Sequence, residues 1–294
     1  MRQNARLKLV GTVIACLSAV AYVGVASAST VIVSDGFSGT NGASVNGRTP
    51  DGVDLPGSTW QVGQQNAGGT SPMTIDTSIG NPAPSVSTNF NDAAGISIAS
   101  ANGYTEPSEL TISADLNIGT IHGGGLSYNT YGEGLGFWST VPTNGQNSFT
   151  GFTGIALDPY GDLTFINNGT ATTVKAAAPS SATISGGYIT GFNTLTYSVD
   201  TTTGTITNLV FDGTNLTSDF SSAAASTAGA PTFAGFYSDE PYTANATGYV
   251  DNFSVSTTSP VPEPGSLILL ATAGVGILWV GRKNAGSSGK RGAF

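Results

Sequence analysis

The residues best placed to do chemistry are aromatic rings set among glycines. Tyr128-Asn129-Thr130-Tyr131 lies in a glycine-rich stretch and leads into Phe137-Trp138. Exposed rings stack on the apolar face of a sugar, and Asn, Asp and backbone groups hydrogen-bond its hydroxyls. Tyr128, Tyr131 and Trp138 are therefore candidate glycan-binding residues, and Tyr237 and Tyr242 beside Asp239 and Glu240 form a second group. If Phe137 faces a core, alternation along a strand turns Trp138 the other way, toward solvent or a groove. The competing reading is that both rings fill a core.

Carboxylates offer two further chemistries. Calcium takes several oxygen ligands at once. Asp35 and Asp251 could share such an ion if their strands pair, while Asp158/Asp162 and Asp51/Asp54 each bracket a turn. Aspartate is also an ordinary turn former. Hydrolysis of a glycosidic bond needs two carboxyl groups held at a set separation. No Glu-x-Asp or Asp-x-Glu spacing occurs, Glu106 and Glu109 straddle Pro107, and Asp239 and Glu240 are adjacent. His122-Gly123-Gly124-Gly125 has the composition of an oxyanion loop but no Gly-x-Ser-x-Gly accompanies it. The expectation is that the chain is not an enzyme, a glycan-active hydrolase or lyase being the alternative.

Composition narrows this further. The only cysteine, Cys16, and the only histidine, His122, leave no disulfide framework and no histidine-rich zinc site. Seven of the nine basic residues lie near the two ends. Between residues 29 and 259 only Arg48 and Lys175 oppose seventeen acids, a formal charge of −15. Such a body repels nucleic acid and anionic membrane surfaces. No cofactor is expected apart from a structural calcium.

The elements that would position these groups are strands. Leu110, Ile112, Ala114, Leu116 and Ile118 share one face of the segment from Glu109 to Ile118. Hairpins are expected where residues 154–158 return as 162–166 through Pro159-Tyr160-Gly161, and where 195–199 return as 206–211. Asp212-Gly213 turns the chain again. Residues 95–100, 134–140, 232–238 and 248–256 complete the set, and only 221–227 could be helical. The fold expected is all-β, a two-sheet antiparallel sandwich over residues 29–259.

Both ends carry addresses. Arg2, Arg6 and Lys8 precede an apolar run that closes on Ala26-Ser27-Ala28, the pattern of a signal peptide (1–28) cleaved after Ala28. Val13-Ile14-Ala15-Cys16 also fits a lipoprotein box. At the other end, Pro262-Glu263-Pro264 is followed by an apolar stretch from Leu267 to Val280 and by Arg282-Lys283. The stretch is short for a full span, and the basic pair should stay cytoplasmic with the 284–294 tail. This order resembles the PEP-CTERM sorting signal of Gram-negative bacteria that make exopolysaccharide, here residues 260–283. The resemblance implies an exosortase-type processing enzyme as partner, and export to the cell envelope, outer surface or extracellular matrix. An ordinary C-terminal transmembrane anchor is the alternative.

Three stretches of the body resemble concanavalin A-like, laminin-G-type jelly rolls. They are Asp35-Gly36-Phe37 with Asn46-Gly47-Arg48-Thr49-Pro50 and Trp60, then residues 195–200 through Asp212-Gly213, and Val250-Asp251-Asn252-Phe253-Ser254-Val255. The resemblance implies the jelly-roll fold with neighbouring first and last strands and says little about ligand. The function expected is that of a non-catalytic surface or matrix protein that binds extracellular polysaccharide. A purely structural role is the third reading.

Overall fold

The computed structural model describes residues 27–53, 57–64, 73–83, 85–89, 92–99, 109–119, 132–142, 151–176, 182, 184–185, 187–220, 231–239 and 247–260. Residues Ser29–Ser259 form one compact unit.

The described chain is almost entirely strand. In order these are β1 (Ser27–Asp35), β2 (Gly52–Val53), β3 (Trp60–Gln64), β4 (Thr74–Asp76), β5 (Ser85–Asn89) and β6 (Asp92–Ser97). Next come β7 (Glu109–Asn117), β8 (Gly132–Trp138), β9 (Phe152–Leu157), β10 (Leu163–Asn167), β11 (Thr170–Ala176), β12 (Ile184–Ser185) and β13 (Tyr188–Ile189). The last are β14 (Asn193–Asp200), β15 (Ile206–Phe211), β16 (Thr214–Asn215), β17 (Phe233–Asp239) and β18 (Thr247–Pro260). One four-residue helix, α1 (Thr217–Phe220), follows β16. The expected helical stretch 221–227 lies outside the described residues, as does the expected C-terminal span. Among the described residues no helix is long and apolar enough to cross a membrane.

Two antiparallel sheets carry the fold. One runs β16-β15-β14-β7-β18-β1-β2, with β5 also on β18 and β4 on β5; the other runs β11-β10-β9-β8-β17-β6-β3. Period-two alternation explains which faces meet. Leu110, Ile112, Ala114 and Leu116 of β7, with Leu195, Tyr197 and Val199 of β14, point inward. Facing them are Leu135 and Phe137 of β8, Ile155 and Leu157 of β9, and Ala234 and Phe236 of β17. Each fully buried Leu, Ile or Phe contributes roughly 1.5–3 kcal/mol relative to exposure. The Tyr197 hydroxyl crosses the core and donates to the Leu135 carbonyl at 2.9 Å.

The expected hairpins form, β9 with β10 and β14 with β15. Asp212 and Gly213 take φ of 46° and 75°, as the tight turn between β15 and β16 requires. β1 and β18 are neighbours, as the resemblance implied. Each Asp-x-Phe motif holds one non-glycine residue at positive φ, but at different positions: Phe37 (φ 51°) closes the first motif, whereas Asn252 (φ 50°) is the middle residue of the second. Both phenylalanines reach the same ring, Phe37 at 5.8 Å and Phe253 at 5.0 Å from Trp60.

Candidate functional site

A row of polar side chains stands on the inner face of the second sheet. Ser238 of β17 pairs with Asp92 of β6 on one side and Glu133 of β8 on the other. Each shares its strand's inward parity: Asp92 with Ala94 and Ile96, Ser238 with Phe236, Glu133 with Leu135 and Phe137. All three are buried, with Glu133 and Ser238 at 0% exposure. Thr88 of β5 donates its hydroxyl to Glu133 Oε1 at 2.6 Å from the opposite sheet.

Electrostatics follow from that enclosure. Burial pushes the Glu133 pKa up to about 8, the hydroxyls of Thr88 and Ser238 pull it down, and the charge of Asp92 raises it. At neutral pH the glutamate is therefore mostly a neutral acid. Sequence reasoning missed this row. The signal was there: Glu133 sits in phase with Leu135 and Phe137, where an apolar residue belongs.

The candidate calcium ligands are otherwise engaged. Asp35 accepts from the Phe37 N–H at 2.8 Å, from Trp60 Nε1 at 2.7 Å and from Arg48 Nη1. Arg48 also reaches Asp51 at 2.8 Å. Asp251 accepts from the backbone N–H of Asn81 at 2.6 Å and of Asn252 at 2.7 Å. Beside it, Asp115 accepts from Asn252 Nδ2 at 2.9 Å and Thr194 Oγ1 at 2.5 Å. The two strands adjoin, yet Asp35 and Asp251 serve different donor networks. Asp158 Oδ1 likewise caps its own turn, accepting from the N–H groups of Tyr160 and Asp162. Among the described residues no group of three or more His, Cys, Asp or Glu could hold a metal ion.

Trp138 turns away from Phe137, as alternation demands, but it does not reach solvent. It is 2% exposed and packs with Ala93, Phe152, Ala156, Ile166 and Tyr237 on the outer face of the second sheet. Its ring lies 5.0 Å from Phe152, which lies 4.7 Å from Tyr237. The expectation of an exposed Trp138 platform is thus corrected: the outer face carries its own aromatic layer. Glycines make room for it. A Cβ on Gly134 would fall 1.9 Å from the Tyr237 ring, and one on Gly136 2.7 Å from Phe152. Tyr128, Tyr131 and Tyr242 lie outside the described residues, as do Ala26 and the 261–294 segment, while Ala28 lies within β1.

The C-terminal segment is decided by comparison. A family model for the PEP-CTERM protein-sorting motif matches residues 260–283. Residues 260–283 are a PEP-CTERM sorting motif. The motif marks a protein exported to the cell envelope and sorted by an exosortase.

No curated protein matches the chain. Among solved structures, the receptor-binding domain of botulinum neurotoxin C/D mosaic serotype matches with TM-score 0.42 and 13% identity, over 78% of this chain and 48% of that one. The chain thus spans about half the length of the neurotoxin domains it matches. A carbohydrate esterase from a Shiga toxin-encoding bacteriophage matches with TM-score 0.40 and 16% identity, over 75% of this chain and 99% of that one. Domain 4 of an extracellular arabinanase from Geobacillus stearothermophilus, in complex with arabinotriose, matches with TM-score 0.35 and 15% identity, over 69% and 84%.

Proposed function

We propose that the chain is a non-catalytic surface or matrix protein, processed at its PEP-CTERM motif, whose jelly-roll body binds exopolysaccharide. The sorting motif carries this reading, because it directs an acidic β-sandwich to the envelope. The non-catalytic part is supported by how the carboxylates are used: Asp35, Asp115, Asp158 and Asp251 all accept hydrogen bonds that hold turns and strands in place. Two experiments test it. Replacing Pro262-Glu263-Pro264 by alanines should leave an unprocessed precursor in the membrane, read as intact mass; normal processing of that variant refutes the sorting role. In an otherwise identical strain that makes no exopolysaccharide, the protein should wash off the cells. Equal retention refutes polysaccharide binding.

One observation favours a second reading, a glycan hydrolase. Glu133 is a neutral acid facing Asp92 across one intervening strand, so their Cα atoms stand about 9–10 Å apart. An inverting glycosidase holds its acid and base about 6.5–9.5 Å apart. Against it, both groups are enclosed between the sheets, and a sugar would have to enter that interior. Release of reducing ends from the host polysaccharide, lost in Glu133→Gln, would establish this alternative.

A further inference from the structure

Tyr160 and Tyr188 form a stacked pair, their ring centroids 5.5 Å apart with planes inclined by 26°. Tyr160 sits at the β9–β10 turn and is 41% exposed, whereas Tyr188 of β13 is half-buried beneath the contact. The platform is held rigidly. Asp158 Oδ1 accepts from the Tyr160 and Asp162 N–H groups at 2.9 and 2.8 Å. Gly161 N donates to the Asp158 carbonyl, Asp158 N to the Asp162 carbonyl, and Ile189 N to the Pro159 carbonyl, at 3.0, 2.9 and 2.8 Å. The last of these bonds ties β13 to the turn and so brings the second ring under the first.

We infer that this pair is a stacking subsite for one uncharged pyranose unit of a polysaccharide. The inference rests on the polysaccharide-binding reading and gives it a place. Size argues for a sugar over a protein. Among the described residues only Val31, Val141 and Tyr160 are exposed large apolar side chains. Val31 belongs to the other sheet, and Val141 follows the far end of β8 from the strand end that pairs with Leu157. Tyr160, 41% exposed as a residue, offers on the order of 100 Å². A stable protein interface takes about 800 Å² from each partner, while a single sugar face needs one ring. The surroundings are polar, as a glycan site requires: Asp162 follows two residues after Tyr160, and the exposed Ser185 stands opposite Tyr188 in register. Charge selects the neutral class, since a body of formal charge −15 repels uronate or sulfated units. Ring pre-organisation lowers the cost of ordering that an exposed side chain would otherwise bear on binding.

The test is affinity electrophoresis of the full-length chain in mild detergent, through gels containing laminarin, dextran or galactomannan, with alginate as the anionic comparison. Wild type should be retarded by at least one neutral polymer and not by alginate. Tyr160→Ala and Tyr160→Leu should lose about tenfold or more in affinity, and Tyr160→Trp should keep it. Leucine preserves an apolar side chain at this exposed turn, so it separates loss of the ring from loss of the fold. Undiminished retardation of both Tyr160→Ala and Tyr160→Leu overturns the subsite and leaves polysaccharide binding standing. Retardation by alginate alone overturns the neutral class. A wild type that no polymer retards overturns the subsite and the binding reading together.

Discussion

Glu133→Gln should make the protein more stable at neutral and alkaline pH by removing an acid that ionises far more readily in the unfolded chain than in the interior. The glutamate's ordinary value is 4.5, and in the folded chain burial lifts it to about 8. The folded state therefore binds this proton more tightly than the unfolded state does. Stability is fully present below about pH 4.5 and falls as pH rises, until ionisation in the folded chain is complete above about pH 8. Each pKa unit is worth about 1.36 kcal/mol. The loss should reach roughly 3 kcal/mol by pH 7 and at most about 5 kcal/mol above pH 8. Glutamine keeps the size of the side chain, its carbonyl can accept the Thr88 hydroxyl, and it does not titrate. Urea unfolding followed by tryptophan fluorescence suits the measurement, because Trp60 and Trp138 are both buried. The expected result is little difference between variant and wild type at pH 4.5, with the variant ahead by several kcal/mol at pH 8. Asp35, Asp212 and Asp251 also sit above their ordinary values because of burial. They are common to both proteins and largely cancel. If the gap at pH 8 equals that at pH 5 within about 0.5 kcal/mol, the buried-acid reasoning is wrong.

Two further outcomes follow from the packing. Arg48→Met strips Asp35 of its cationic partner while leaving it buried, which should cost about 3–5 kcal/mol near pH 7. The loss should shrink near pH 4, where burial already favours the protonated form of Asp35; thermal melts at the two pH values give the comparison. Gly134→Ala places a methyl group where the Tyr237 ring lies, so it should cost about 1–3 kcal/mol, read from the urea midpoint.

The main body of the sandwich was legible because its long strands obey local rules. β7 alternates over its whole length, Asp212-Gly213 specifies a tight turn, and the β9–β10 and β14–β15 hairpins are made of neighbours in sequence. Shorter pieces such as β2, β4 and β12 carry two or three residues each, too few to display a period-two pattern. The site fared differently for a related reason. Alternation assigns a residue to one of two faces but does not say whether the second face is covered. Trp138 was correctly turned away from Phe137, yet a layer containing Phe152 and Tyr237 occupies that side. Carboxylates close together in sequence do not reveal the Glu133 row, because its partners Asp92 and Ser238 come from strands 41 residues before and 105 residues after it. Tyr188 met Tyr160 through a backbone bond from Ile189 that no local pattern announces.

The position of β18 has a consequence for how the molecule is made. This strand lies between β7 and β1, in the interior of its sheet, and ends at Pro260, where the sorting motif begins. β7 and β1 cannot be bridged until those final residues have been threaded out. An exported chain would therefore emerge with its sheet still split down the middle. The sorting motif follows directly, so completion of the sandwich and arrival of that motif are set to occur back to back.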